Sequence, residues 1–264
     1  MFKINKVSLS RKHNDRFTEN YLRSFYNKMS VIYSDPNIPY LNLGFKKETQ
    51  IKFHYDKDSK SLNIIFEQSS RNVDKKFPSN FIDWDWFINL FFLPVIVKPY
   101  KNVKKWVGMH FGFFLSWRYL EKDFSAEIEK VMRENIVLKI DMFGWSHGGA
   151  LVQLAYEYCK TIYGSNIEVH GLTIGAPRVF CDFLSIGVGT SRKNLKKLFS
   201  NLIMFAEYND MFTHLPPTFT GFKHIVPQYK IGEKFSIKKI FKPDIYHYKG
   251  QYDADINKLG DNEV

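Results

Sequence analysis

Cysteine is nearly absent: the 264 residues contain two, Cys159 and Cys181. Neither their number nor their spacing can build a disulfide scaffold or a metal site, so a reduced, intracellular setting is the expectation. No internal repeat or low-complexity segment interrupts the chain, which excludes a solenoid or a string of linkers. Met1 to Arg16 carries scattered charge and has no continuous apolar core, so no classical secretion signal is read there. Localisation is therefore expected to be cytoplasmic by default, with peripheral membrane contact or non-classical export left open. Long apolar runs are also missing. Trp84 to Val97 is rich in Phe, Ile, Leu and Val, but it is broken by Pro94 and flanked by Asp83 and Asp85, and it falls short of the roughly 20 residues of a bilayer span. Two readings remain for it: a buried core helix, or an apolar lid or interfacial helix beside an active site, bounded at 81–97.

The length suits one domain with a sizeable core, with residues 1–45 as an N-terminal extension packed on it. The formal net charge is +11. Such a balance suits nucleic acid, an anionic membrane surface or simple solubility. The lysines are dispersed and form no recognisable nucleic-acid motif, so no nucleic-acid partner is expected.

Along the chain, a helix is predicted around Glu19 to Val31, ended by Asp35-Pro36. Thr49 to Tyr55 and Ser61 to Glu67 alternate with period two around the turn-forming stretch Asp56 to Lys60, predicting an antiparallel hairpin at one sheet edge. A helix from Gly112 to about Arg133 precedes a β-branched run, Ile136 to Phe143, and further strands are predicted at Glu168 to Ile174 and Leu202 to Phe205. Strands alternating with helices imply a largely parallel sheet with helices on both faces, an α/β fold.

Between the run at Ile136 to Phe143 and the next helical pattern lies Gly144-Trp145-Ser146-His147-Gly148-Gly149-Ala150. A bare G-x-S-x-G arises by chance in about one chain in ten of this length. Its position between strand and helix makes it informative. In a strand-to-helix elbow, the glycines two before and two after the serine avoid collisions at the tight turn, and the hydroxyl is raised at the strand's carboxyl end.

This block resembles the G-H-S-L-G-G-A elbow of the class 3, fungal-type lipases of the α/β-hydrolase superfamily. Gly175-Ala176-Pro177-Arg178-Val179 is similar to that family's G-[AS]-P-R-V turn, Asp210 to Pro217 to its D-x-V-P-x-L-P-P, and His110-Phe111-Gly112-Phe113 to its H-x-G-F. The ordered blocks cover roughly residues 60 to 250. Two blocks depart from the pattern. The family's F-R-G-[ST] is Phe66-Glu67-Gln68-Ser69 here, and its H-x-G-x-E keeps only His224.

The resemblance implies an α/β-hydrolase fold and a serine ester hydrolase acting on lipid acyl esters, a lipase or phospholipase A, with no metal or organic cofactor. A serine hydroxyl needs a histidine to take its proton and a carboxylate to hold that histidine's tautomer. Ser146, Asp210 and His247 are the expected triad, in the chain order of α/β hydrolases. His247 sits in Asp244-Ile245-Tyr246-His247-Tyr248, similar to the family's terminal block, with His224 the leading alternative and His214 a third competitor. Asp182 and Asp244 are weaker candidates for the acid. The oxyanion hole is expected to combine the His147 backbone N–H with a donor at Ser69, or Ser70 if the loop is shifted by one. Arg178 is read as a structural ion-pair partner and His110 as a loop-orienting residue. The altered Phe66 to Ser69 segment leaves room for another class of function, a catalytically weak hydrolase-fold module binding a membrane or a protein partner. The partners expected otherwise are an ester substrate and, transiently, an anionic membrane surface.

Overall fold

The structure, a computed structural model, describes residues 17–44, 49–67, 93–97, 107–181, 197–240 and 242–259. Ser69, Ser70, Asp182, residues 1–16 of the N-terminal extension and residues 81–92 of the apolar stretch lie outside the described residues.

Among the described residues the chain runs α1 (Glu19–Ser34), β1 (Leu41–Leu43), β2 (Thr49–Asp56), β3 (Ser61–Phe66), β4 (Pro94–Val97), β5 (Val107–His110), α2 (Phe111–Glu134), β6 (Lys139–Trp145), α3 (His147–Ile162), β7 (Glu168–Ile174), β8 (Phe180–Cys181) and β9 (Leu202–Glu207). Then follow two short 3-10 turns, β10 (Phe222–Lys223), β11 (Tyr229–Ile231), α4 (Ile237–Ile240), α5 (Pro243–Tyr246) and α6 (Lys249–Ile256). The main sheet has the order β1-β2-β3-β6-β7-β9-β11. It is parallel from β3 to β11 and antiparallel only at β1-β2-β3. The predicted hairpin β2-β3 forms, but β1 lies beyond it, so β2 is not the edge.

Successive side chains of a strand point to opposite faces, and both faces of this sheet are covered. Leu62, Ile64 and Met142 join Trp117, Leu120, Phe124, Leu151 and Ala155 of α2 and α3 on one face. Ile65, Phe143, Leu172 and Phe205 join Leu22, Tyr26 and Met29 of α1 and Tyr252 and Ile256 of α6 on the other. The apolar residues of α1 recur at helical spacing, and Thr18 caps its start by accepting a hydrogen bond from the Tyr21 N–H. Burial of that stripe makes α1 a wall of the core.

A smaller antiparallel sheet, β10-β8-β5-β4, stands apart. It corrects the helical reading of the apolar stretch at its C-terminal end, because Pro94–Val97 is a strand paired with Val107–His110. Pro94 cannot donate within a helix interior, whereas the first position of an edge strand tolerates it. None of the described helices is long and apolar enough to cross a membrane.

Register brings the site together. Phe66 pairs with Gly144, Trp145 with Ile174, and Ile174 with Phe205, so β3, β6, β7 and β9 end along one edge. Ligands of open α/β sheets bind at that carboxyl edge.

Candidate active site

Ser146 occupies the one-residue link between β6 and α3, with φ 54° and ψ −120°. A side chain other than glycine seldom adopts this left-handed region, and where it does the strain must be held by its surroundings. Here the Ser146 N–H donates to the Ile174 carbonyl at 3.0 Å, and its own carbonyl accepts from the Ala150 N–H at 3.1 Å. The elbow glycines are a packing requirement. A Cβ on Gly144 would lie 2.4 Å from the Gly148 carbonyl oxygen, and one on Gly148 would lie 2.5 Å from the Phe66 carbonyl oxygen.

His247 arrives from the turn after α5, 101 residues beyond Ser146, and its Nε2 accepts from the Ser146 Oγ at 2.7 Å. With Nε2 as acceptor, Nδ1 carries the proton and donates to Asp210 Oδ2 at 2.8 Å. The imidazole packs against the Phe212 ring at 4.2 Å and the Trp145 ring at 5.8 Å. Gly175, at φ +60°, makes room for the pair: a Cβ there would sit 3.0 Å from Asp210 Oδ2 and 3.1 Å from His247 Cε1.

Asp210 is fully buried. Its Oδ1 accepts from the Phe212 N–H at 2.9 Å, capping the 3-10 turn Met211–His214. Its Oδ2 also accepts from the Tyr252 hydroxyl at 2.6 Å. A buried carboxylate is stable only when its lone pairs are so occupied. The Tyr252 hydroxyl in turn accepts from the Glu207 N–H at 3.0 Å. Glu207, 1% exposed, has its carboxyl pushed up to about 10 by burial and by the hydrogen bond to Asp255. Asp255, against the upward pull of its own burial, is held below the usual carboxylate range by hydrogen bonds from Glu207, Lys258 and Gln251. Glu207 is thereby biased toward its neutral form and Asp255 toward its charged form. Neither Tyr252 nor Glu207 was singled out by sequence reasoning.

The competing histidines are elsewhere engaged. His224 donates from Nε2 to the Thr213 carbonyl at 2.7 Å, and burial pushes its imidazole down to about 3, so it stays neutral. His214 packs against Phe235 and is also lowered by burial. His110 caps α2, accepting from the Phe113 N–H at 3.4 Å. Arg178 takes a structural role of a different kind from the ion pair expected, because its guanidinium donates to the main-chain carbonyls of His214 and Pro216. That brace spans the turn just after Asp210.

His147 opens α3 beside the serine, its side chain buried and its ring 5.6 Å from Phe113. Its backbone N–H lies in the helix's first turn, where the dipole directs partial positive charge toward Ser146. Glu67, standing where the family pattern has arginine, accepts from the Tyr33 hydroxyl at 2.5 Å and the Tyr40 hydroxyl at 2.6 Å. Burial, together with Glu67, raises both phenols well above their ordinary range. Glu67 therefore anchors the end of β3 against α1 and the turn that follows it, where it abuts the elbow at Gly148.

The family described as "Lipase (class 3)" matches residues 84–220. Secreted mono- and diacylglycerol lipase 1 of Fusarium solani is 28% identical over 159 residues, 51% of this chain and 42% of its own. The chain thus spans less than half the length of that curated relative. Among solved structures, a triacylglycerol lipase described as having a serine protease triad as its catalytic centre is similar with a TM-score of 0.57 at 19% identity, over 82% of each chain. A deletion-mutant form of the Rhizomucor miehei lipase–propeptide complex is similar with a TM-score of 0.56 at 20% identity, over 81% of this chain and 67% of that one. These likenesses establish the α/β-hydrolase fold. They also correct the cytoplasmic expectation, since the Fusarium solani relative is a secreted protein. Cys159 and Cys181 are both buried and form no disulfide, and thiols shielded in a core do not report on the redox compartment. With the family match covering more than half of its residues, the chain belongs to the class 3 lipase family.

Proposed function

We propose that this protein is a serine carboxylic ester hydrolase acting on lipid acyl esters, a lipase or phospholipase A in type, with Ser146 as nucleophile, His247 as general base and Asp210 as its orienting acid. The observation that carries this reading is the continuous relay from Ser146 Oγ to His247 Nε2 and from His247 Nδ1 to Asp210 Oδ2, at 2.7 and 2.8 Å.

The relay suits a two-step acyl transfer. Ser146 Oγ attacks the ester carbonyl as its proton passes to His247, and the buried Asp210 carboxylate stabilises the resulting imidazolium without taking the proton. The oxyanion of the tetrahedral intermediate is stabilised by the His147 N–H, with Ser69 the proposed second donor. One such donor is worth about 3–4 kcal/mol of transition-state stabilisation. Collapse returns the proton from His247 to the departing alcohol and leaves an acyl-Ser146. Water, deprotonated by the same histidine, then releases the fatty acid.

Lipid esters are favoured as substrates by the family membership. The positive balance of the chain also suits transient contact with an anionic lipid surface. The alternative of a catalytically weak module, raised by the altered Phe66 to Ser69 segment, receives less support because the serine, histidine and carboxylate stand in hydrogen-bonded order. A panel of p-nitrophenyl esters and emulsified acylglycerols and phospholipids, assayed with the wild type and Ser146→Ala, tests the proposal. Hydrolysis lost in the variant supports it, and activity retained by the variant overturns it.

A further inference from the structure

Five of the large apolar side chains most exposed among the described residues fall in the stretch that carries the acid and the base. Apart from Phe219, they are Phe235 (55% exposed), Ile237 (69%), Ile245 (45%) and Tyr248 (61%). These four lie within fourteen consecutive residues, and His247 is among them.

The stretch is held in place. Asn209, next to Asp210, donates from Nδ2 to the carbonyls of Glu233 and Lys234 at 3.1 and 3.3 Å, and its Oδ1 accepts from the Ser236 N–H at 2.7 Å. Phe235 sits beside His214. Successive turns continue it, with the Lys242 N–H donating to the Lys239 carbonyl at 3.0 Å and the Ile245 N–H to the Lys242 carbonyl at 3.1 Å. Its apolar groups are therefore displayed by a braced backbone next to the triad.

Lysines alternate with those apolar groups. Lys234, Lys238 and Lys242 are exposed; of the two acids in the stretch, Glu233 and Asp244, Glu233 is paired with Lys239. Interspersed apolar and cationic side chains match a surface that offers acyl chains just below anionic headgroups. A protein partner or a second copy would be expected to meet a larger, less charged apolar core.

We propose that residues 233–240 and 242–248 form the surface by which this protein docks on an anionic bilayer, Phe235 and Ile237 entering the acyl region while Lys238 and Lys242 contact the headgroups. The proposal rests on the lipid-ester reading above, and it gives the site a reason to carry its base on the docking element: binding places His247 and Ser146 at the lipid surface.

Vesicle co-sedimentation of the Ser146→Ala chain tests it without hydrolysis. Large vesicles of phosphatidylcholine alone are compared with vesicles containing about one third phosphatidylglycerol, where each surface lysine contributes several-fold in affinity. Partitioning should be at least about tenfold stronger to the anionic vesicles. Phe235→Ser/Ile237→Ser and, separately, Lys238→Glu/Lys242→Glu should each lower it by about tenfold or more. In the otherwise wild-type chain both pairs should leave hydrolysis of soluble p-nitrophenyl butyrate unchanged, which separates a lost surface from a damaged fold. Equal binding to both vesicles, no binding, unchanged binding by both variants, or self-association in place of vesicle binding overturns the proposal. Absence of ester hydrolysis with normal vesicle binding would overturn the catalytic reading and leave the surface standing.

Discussion

The Tyr252 hydroxyl donates to Asp210 Oδ2 at 2.6 Å, on the same oxygen that receives His247 Nδ1–H at 2.8 Å. One carboxylate oxygen thus holds the His247 imidazole and is itself fixed by α6. A hydrogen bond to a charged group is worth about 1.5–3 kcal/mol. Tyr252→Phe should therefore lower kcat by about tenfold or more with KM little changed, measured on a soluble ester. Asp210→Asn, which reverses the tautomer preference of His247, should cost about four orders of magnitude.

His247 and His224 are separable by mutation. His247→Ala removes the imidazole that meets Ser146 Oγ at 2.7 Å, and kcat should fall by about three orders of magnitude or more. His224 holds the Thr213 carbonyl, so His224→Ala should lower the melting temperature while leaving most of the turnover of the folded fraction. A severe kcat loss in His224→Ala with near-normal His247→Ala would reverse the two assignments.

At Gly148 the elbow touches β3 so closely that an added methyl would lie 2.5 Å from a backbone oxygen. Neither backbone can yield cheaply. Gly148→Ala should lower the melting temperature by several degrees and depress turnover through displacement of α3 from the end of β3. A variant with wild-type melting and activity would show that the elbow has slack.

The Glu207–Asp255 pair makes stability depend on pH. Glu207 rises from 4.5 in the unfolded chain to about 10 in the fold, so the folded state holds the extra proton. Its contribution is full below about pH 4.5 and is lost as pH rises toward 10, whereas Asp255, lowered from 3.8, titrates below that window and does not alter the slope within it. Glu207→Gln removes that titration while keeping a neutral donor. Its melting temperature relative to wild type should climb steadily from pH 6 to pH 9 (a window of about three units), as followed by circular dichroism. Parallel pH profiles of the two proteins would contradict a raised Glu207 carboxyl.

The elbow was readable because steric demand is written directly in glycine: Gly144 and Gly148 stand where any Cβ meets backbone. The helix from Glu19 was also readable, since its apolar residues keep one period up to a polar boundary; the strand at Glu168–Ile174 is buried along nearly its whole length. Composition misled where apolar character and burial part company. The run at Ile136 to Phe143 looks like one strand, but Ile136 and Leu138 are 67% and 54% exposed and pairing starts at Lys139. The strands of the small sheet, two to four residues long, carry too few residues to show a period. Tyr252 and Glu207 escaped notice for another reason: their role depends on α6 packing against β9, a contact between segments 45 residues apart that no local pattern encodes.

The central claim, that Ser146 is a nucleophile activated by His247, is tested most directly by covalent labelling. A fluorophosphonate reacts with a serine only when its hydroxyl is activated and an oxyanion site is in place. Intact-mass and peptide mass spectrometry should find a single adduct on Ser146 in the wild type, with none in Ser146→Ala and labelling slowed by orders of magnitude in His247→Ala. Failure of the folded wild type to label, or an adduct at another serine with Ser146 untouched, would contradict the account.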